Sequence, residues 1–171
     1  ITNGIRRVFE YFLSATGEEP LDSLLARIRA YIRHKLPAGP AAEAEKILDG
    51  YIAYKRGLEG IQQAVAPGSQ QIDIGAVRQQ MQDVRALRTR YLSQEVITAF
   101  FGDEDAYDRY TLARFDIMQN KQLSASARAQ QLAELERQLP PALQESLSAI
   151  SQYQNLQALT DDWSKRSGSP A

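Results

Sequence analysis

The stretch Arg6-Arg-Val-Phe-Glu-Tyr-Phe-Leu-Ser-Ala15 decides the fold of the first part of this chain. With side chains about 100° apart around a helix, its apolar residues gather on one side, as in a helix that packs on a core. The core-facing residues are Ile5, Val8, Phe9 and Phe12, with Leu13 at the edge. The opposite side carries Arg6, Arg7, Glu10, Tyr11 and Ser14. The stretch therefore predicts an amphipathic helix with one aromatic side chain on its polar face.

Tyr11 on this polar face has two interpretations. Single exposed aromatic side chains are common, because more than half of a folded surface is apolar, and an ion pair between Arg6 and Glu10 contributes only a few tenths of a kcal/mol. Alternatively, Tyr11 forms a partner-binding patch with Arg7, Glu10 and Ser14, because tyrosine and arginine are favoured anchors of interfaces. Spacing alone favours the first interpretation and leaves both open.

Composition excludes several classes of protein. The 171 residues suit one domain or a pair of small ones. Lys and Arg number 20 against 21 Asp and Glu, so the formal net charge is −1. No basic excess is present to bind nucleic acid or an anionic membrane. The absence of cysteine excludes disulfides and thiolate chemistry. No apolar run approaches the roughly 18 to 20 residues of a transmembrane helix, so we expect any targeting segment to lie outside this sequence.

Turn-forming residues divide the first part of the chain into three amphipathic helices. Gly17 ends the first helix and Pro37 the second, and the turn from Pro37 to Pro40 precedes the third. The segment 66–73 is again rich in turn formers, and Asp73 is a suitable N-cap for the helix that follows. Short connections between three amphipathic helices predict a three-helix mini-domain over residues 1–70.

Four further helices are predicted after the mini-domain. The fourth ends at Gly102, Asp103 caps the fifth, Ser124 caps the sixth, and Pro140-Pro141 precedes the seventh. No alternating run of β-branched residues and no hairpin turn occurs, so the fold class is all-α. These helices have narrow apolar stripes and charged remaining faces. We therefore expect residues 71–171 to form an extended, non-globular helical arm with surface left for a partner.

No residue pattern indicates an active site, a metal site or a cofactor site. His34 is the single histidine, and a zinc ion there would need carboxylates for every other ligand. The acidic stretch 102–108 resembles a calcium loop in composition, but it lacks the central glycine and the glutamate at the twelfth position. A capped helix start explains it better. Gly-x-Ser-x-Gly does not occur. We therefore predict a protein that is not an enzyme and uses no cofactor or metal.

Three stretches of the sequence together carry a family resemblance. They are Arg6-x-x-Phe9-Glu10-Tyr11-x-x-Ser14-Ala15 with the following Gly17-Glu-Glu-Pro-Leu21, then Tyr51-Ile-Ala-Tyr-Lys55, and finally Phe100-Phe-Gly-Asp-Glu-Asp-Ala-Tyr-Asp-Arg-Tyr-Thr-Leu112. They resemble the lipase-specific foldases, the steric chaperones of secreted bacterial lipases, whose pattern for the first stretch is Arg-x-x-Phe-Asp-Tyr/Phe-x-x-Ser/Thr-Ala. The resemblance covers most of the chain to about Leu139. Glu10 stands where the family has Asp, so the charge is kept one methylene further out, and we expect a local hydrogen bond to change.

The resemblance implies a protein anchored in the bacterial inner membrane by an N-terminal helix, with a variable linker and a periplasmic, all-helical folding domain. In that family, two helical mini-domains are joined by an extended arm that wraps around the lipase. By position, residues 1–70 correspond to the first mini-domain and residues 71–171 to part of the arm. The anchor, the linker and the second mini-domain are then absent, so we expect this sequence to be truncated.

The resemblance also assigns a partner-binding role to the motif. The residues carried over are Arg6, Phe9, Glu10, Tyr11, Ser14 and Ala15. Tyr11 is the expected contact residue and Phe9 the packing residue that positions it. The implied partner is a cognate secreted lipase of the α/β-hydrolase class, whose folding the chain assists without covalent chemistry. The alternative is an all-helical adaptor or scaffold that binds a partner without folding activity.

Overall fold

Helices joined by short connections make up the described part of the chain. The computed structural model describes residues 1–64 and 73–150, apart from the side chains of residues 62–64. The helices are α1 (Asn3–Leu13), α2 (Leu21–Lys35), α3 (Ala38–Ala64), α4 (Ile74–Tyr91), α5 (Gln94–Gln119) and α6 (Ala125–Arg137). A further helix, α7, begins at residue 141 and is described to residue 150. No strand occurs in these ranges, and the predicted all-α fold class is confirmed. The predicted turn segment 66–72 and the seventh helix beyond residue 150 lie outside the described residues.

Three local signals in the sequence have the predicted structural role. Gly17 follows α1 with a φ of +100°, a backbone conformation that favours glycine. The Asp73 carboxylate accepts a hydrogen bond from the Ala76 amide at 3.2 Å and caps α4. The Ser124 hydroxyl accepts one from the Ala127 amide at 3.1 Å and caps α6. These three predictions are confirmed. They could be made from the sequence because each helix end depends only on residues within one turn of it.

The predicted helix end at Gly102 is wrong. The chain leaves helical geometry at Leu92, with φ −126° and ψ 148°, and the Ser93 hydroxyl accepts a hydrogen bond from the Val96 amide at the start of α5. α5 then continues through Gly102 without a break. A glycine inside a helix costs only about 1 kcal/mol. Leu92 and Val96 are both buried, so a bend at this point brings apolar side chains on both sides of it into the core.

The first compact unit, residues 1–101, has a single hydrophobic core. Its buried side chains are Phe9, Leu13, Ile28, Ile32, Ala41, Ala44, Ile47, Leu48, Tyr51, Ile52, Tyr54, Leu92, Val96, Ile97, Phe100 and Phe101. α2 packs against both α1 and α3, and α3 packs against α4. This unit extends past the predicted mini-domain, because residues 92–101 contribute to the same core. The division into a mini-domain, residues 1–70, and an arm, residues 71–171, stays a prediction.

α3 packs closely against the end of α4 at Gly50. A Cβ atom on this residue would clash with the carbonyl oxygen of Tyr91, and the Leu92 side chain would be 3.3 Å away from it. Glycine is therefore needed for close packing here, although its backbone is ordinary helix. At Gly57, about two turns further along α3, a Cβ would instead meet the side chain of Leu87 at 2.7 Å.

The second unit comprises residues 102–171, of which the structure describes those to residue 150. Its buried apolar side chains in this range are Tyr110 and Leu139. The Gln144 amide group on α7 donates a hydrogen bond to the Leu139 carbonyl at 2.6 Å and closes the connection from α6. Several large apolar side chains are exposed, namely Tyr107, Phe115, Met118 and Ile150. The described part of this unit therefore presents apolar surface to solvent.

Candidate partner-binding site

Tyr11 is presented at the surface of α1, as the sequence predicted. Its side chain is 76% exposed, and its ring meets that of Phe12 edge-on with centroids 5.4 Å apart. The Phe12 ring in turn lies 5.6 Å from that of Tyr31 on α2. An exposed ring supported by other rings keeps few conformations, so ordering it on binding costs little entropy. The geometry suits a tyrosine that inserts into a partner.

Phe9 occupies the opposite side of the same helix and is fully buried, as predicted. Its ring centroid lies 5.8 Å from that of Tyr51 on α3 and 6.4 Å from that of Phe100 on α5. The contact with Phe100 is edge-to-face, a favourable arrangement of two aromatic rings. Phe9 thus fixes the position of α1 against two other helices. The surface that presents Tyr11 is set by this buried contact.

Arg6 does not extend freely into solvent from the polar face. Its Nη1 atom donates a hydrogen bond to the Phe100 carbonyl oxygen at 2.7 Å, and its Nε atom lies 3.4 Å from the Tyr51 hydroxyl. Its guanidinium carbon lies 4.5 Å from the centroid of the Phe101 ring. A partly desolvated cation over an aromatic ring contributes on the order of 1 kcal/mol. Arg6 therefore joins α1 to both α3 and α5.

Glu10 also reaches across to α3. Its Oε1 atom accepts hydrogen bonds from the Tyr51 hydroxyl and from the Lys55 ammonium group, the latter at 2.7 Å. Partial burial alone raises the pKa of the Glu10 carboxyl, but the hydrogen bonds from Lys55 and Tyr51 outweigh it and hold the pKa below its ordinary value. Burial and the bond to Glu10 raise the pKa of the Tyr51 hydroxyl far above its ordinary range. At neutral pH, the Glu10 carboxylate is therefore a charged acceptor and the Tyr51 hydroxyl is a neutral donor.

The position of Glu10 bears on the one departure from the family pattern. Its carboxylate accepts two hydrogen bonds from residues of α3. The additional methylene of Glu relative to Asp lengthens the side chain in the direction of that helix. We predicted that a local hydrogen bond changes at this position. The structure shows that the longer side chain of Glu10 contacts Tyr51 and Lys55 on α3.

Ser14 and Ala15 close the end of α1. The Ser14 hydroxyl donates a hydrogen bond to the Tyr11 carbonyl oxygen at 2.6 Å. The Ala15 carbonyl oxygen accepts from the amides of Glu18 and Glu19 at 3.0 and 3.2 Å. These contacts turn the chain toward α2 immediately after the helix. Ser14 and Ala15 therefore have a structural role, because their hydrogen bonds order the end of the helix next to Tyr11.

The structure brings together parts of the three stretches on which the resemblance depends. We call the connected group the motif network, and it consists of Arg6, Glu10, Tyr51, Lys55, Phe100 and Phe101. Each stretch can be recognised in the sequence, but these contacts cannot. Nor does the sequence indicate that Arg88 on α4 is buried and lies over the same Phe101 ring as Arg6. No local pattern distinguishes Arg88 from the other arginines of that helix.

Other kinds of site receive no support in the described ranges. Between residues 1 and 64 and between 73 and 150, no cluster of three or more His, Asp or Glu side chains could hold a metal ion. His34 lies exposed near the end of α2. No helix in the same ranges is long and apolar enough to span a membrane.

The geometry defines an all-helical protein in which buried aromatic and partly buried charged side chains hold an exposed tyrosine on α1. A sequence model of the family described as proteobacterial lipase chaperone protein matches residues 47–171. The chain therefore belongs to the lipase chaperone family, and the resemblance noted in the sequence is confirmed. The matched range begins within α3, so it contains Tyr51, Lys55, Phe100 and Phe101 but not α1.

Individual relatives extend the similarity to the rest of the chain. The lipase chaperone of Stutzerimonas stutzeri is 37% identical over 143 residues, which are 84% of this chain and 42% of that protein. The lipase chaperone of Chromobacterium violaceum is 34% identical over 139 residues, or 81% and 43%. The lipase-specific foldase of Burkholderia plantarii is 31% identical over 170 residues, or 99% and 48%. The chain thus spans a little under half the length of these relatives.

Proposed function

We propose that this chain acts as a steric chaperone that binds a secreted lipase and assists its folding to the active conformation. Membership of the family and the names of the relatives, lipase chaperone and lipase-specific foldase, support this. The proposal includes a lipase of the α/β-hydrolase class, a periplasmic setting, and a parent protein anchored in the bacterial inner membrane. It includes no covalent chemistry by the chain itself.

The single observation that carries the proposal is the exposed Tyr11 on a rigidly held helix. Arg6, Phe9 and Glu10 hold α1 through the core and the motif network. Tyr11 itself has most of its surface open to solvent. Tyrosine is among the residues that most often dominate binding energy in interfaces. We assign Tyr11 as the contact residue, and Arg6, Phe9, Glu10, Ser14 and Ala15 as residues that position it.

The mechanism follows from differential binding. A folding catalyst accelerates folding only if it binds the transition state, or a late intermediate that leads to it, more tightly than the trapped starting state. A rigid helical surface is suited to this, because it favours the one lipase conformation that is complementary to it. The exposed apolar side chains of the second unit supply further surface of this kind. We propose that residues 1–70 act as the mini-domain that carries the motif and residues 71–171 as the arm.

A refolding experiment tests the proposed function. Denatured cognate lipase is diluted into buffer with and without the protein, and recovered hydrolytic activity is measured over time. Recovery that depends on the protein supports the chaperone. Binding of the lipase without recovery of activity would identify the protein as an adaptor instead. Comparison with the same assay on a chain extended beyond Ala171 measures how much activity the added residues contribute.

The assigned contact residue is tested by Tyr11→Ala. Loss of an interface anchor costs about 2 kcal/mol or more, which corresponds to about a 30-fold loss of affinity for the folding lipase. The matched control is Tyr91→Ala, which removes a partly exposed tyrosine of α4 outside the motif. Both variants are expected to keep wild-type helix content. Equal activation by wild type and Tyr11→Ala would show that Tyr11 is not the contact residue.

A further inference from the structure

Arg88 is the one charged side chain that is buried in the described part of the chain, with 7% of its surface exposed. It lies on α4, outside all three stretches of the family resemblance. Its guanidinium carbon is 3.8 Å from the centroid of the Phe101 ring and 5.8 Å from that of Tyr54. Its Nε atom lies 3.4 Å from the Tyr54 hydroxyl. A buried guanidinium loses hydration, and such a loss is tolerated only where the surrounding contacts compensate for it.

The Phe101 ring is shared by two arginines. Arg88 and the motif residue Arg6 both place a guanidinium over it, at 3.8 and 4.5 Å from the ring centroid. Phe101 is 1% exposed and its ring also contacts that of Tyr54, so it cannot move toward one arginine without changing its contact with the other. We therefore expect a change at Arg88 to alter the contact between this ring and Arg6.

Arg6 is the link from the shared ring to the motif helix. It also donates to the carbonyl of Phe100 and approaches the hydroxyl of Tyr51, which donates to Glu10. Arg6 and Glu10 lie one turn apart on α1 and together set the rotation of this helix about its axis. That rotation decides the direction in which Tyr11 projects.

We propose that Arg88 is a positioning residue of the partner-binding site, which acts through Phe101 and Arg6 to fix the orientation of α1. Arg88 does not itself contact the lipase in this proposal. The inference rests on the proposed function for its activity readout, whereas its stability readout is independent of any partner. A lysine at this position keeps the charge but lacks the planar group that stacks on the ring.

The first test is a double-mutant cycle on urea unfolding of the protein alone. The variants are Arg6→Met, Arg88→Met and the double substitution. We expect Arg88→Met to lower the urea midpoint less in the Arg6→Met background than in the wild type, because the shared contact is already broken. Shifts that simply add would refute the coupling. If Arg88→Met does not fold, the cycle is run with Arg88→Lys and judged by the same criterion.

The second test uses the refolding assay at a temperature where far-UV circular dichroism shows each variant folded. Arg88→Met is expected to lower the maximal activation rate by about tenfold to a hundredfold, the cost of small displacements in a preorganised site. The double variant with Arg6→Met should lose little more, and Arg88→Lys should retain part of the activity. Arg90→Met, which removes an exposed arginine of the same helix, is the control and should activate normally.

The outcomes separate this inference from the proposed function. If the wild type fails to activate lipase, the proposed function fails, and the stability cycle still decides whether Arg6 and Arg88 are coupled. If the wild type activates and a folded Arg88→Met variant activates equally well, Arg88 is not a positioning residue. Losses for Arg6 and Arg88 that multiply would also overturn the inference, because independent residues do not act through one ring.

Discussion

Replacing Phe9 with alanine removes a fully buried ring from the centre of the contact between α1, α3 and α5. The substitution leaves the backbone and the polar side chains of α1 unchanged. It therefore measures how much the position of the motif helix depends on core packing. The neighbouring Tyr11→Ala substitution removes a ring of similar size from the other side of the same helix, and provides a matched control.

The expected magnitude follows from burial and from what surrounds the ring. Truncation of a buried phenylalanine to alanine costs about 3–5 kcal/mol, of which part is the cavity left behind. Phe9 also lines one wall of an apolar cleft of about 210 Å³, together with Ile5, Val8 and Ile32. Loss of the ring enlarges this cleft into the core. Water gains little by entering, because the exposed lining of the cleft is mostly apolar.

Urea unfolding followed by far-UV circular dichroism measures the effect. With a slope of about 1–3 kcal/mol per M urea, a loss of 3–5 kcal/mol lowers the midpoint by at least about 1 M. Since domains of this size have total stabilities of about 5–15 kcal/mol, the variant should remain folded at low temperature but with little reserve. Tyr11→Ala should change the free energy of unfolding by no more than about 0.5 kcal/mol.

Equal midpoints for wild type and Phe9→Ala would refute the reasoning, because a ring with no solvent exposure cannot be removed from a packed core without cost. A large loss of stability for Tyr11→Ala would contradict the assignment of the two faces of α1. The combination expected here is a destabilised Phe9→Ala variant and a stable Tyr11→Ala variant with weakened lipase activation.

Two further predictions concern the contacts of α1 and α3. Because the folded pKa of Glu10 lies below its ordinary value of 4.5, its contribution is present above that pH and is lost as the pH falls through the folded pKa. Glu10→Gln should thus be less stable than wild type by under about 1 kcal/mol at about pH 7, and the urea midpoints should converge as the pH falls through the folded pKa of Glu10; a constant difference would contradict this. Gly50→Ala should cost about 1–3 kcal/mol, because its Cβ meets the rigid Tyr91 carbonyl. Gly57→Ala should cost less, since the Leu87 side chain can move; equal urea midpoints for the two variants would show that this distinction is wrong.

Helical periodicity predicted the two faces of α1 well. Phe9 is buried and Tyr11 exposed, as their positions around the helix require. The same reasoning placed Arg6 and Glu10 on the outer face, and there it was incomplete. Long side chains at the edge of an apolar stripe can turn toward a second neighbouring helix. Whether they do so depends on which hydrogen-bonding groups and aromatic rings the neighbouring helix places within reach. Periodicity within one segment does not contain this information.

The break between α4 and α5 shows a similar limit. Glycine at position 102 is a reasonable local signal for a helix end, yet the chain bends at Leu92. The local preference of one glycine amounts to about 1 kcal/mol. Burial of several apolar side chains on each side of the actual bend is worth more. Tertiary packing therefore decided where the long helical segment divides.

The sequence by itself determined that this protein is helical, that α1 has one core face, and, through its motifs, that it resembles the lipase-specific foldases. These properties depend on residues a few positions apart, or on motifs that can be read directly. Only the tertiary structure decided that Arg6 bonds to Tyr51 and Phe100, which lie 45 and 94 positions away, and that Arg88 shares the Phe101 ring with it. Such contacts depend on the rotation and separation of packed helices, which the pattern of a single helix does not specify.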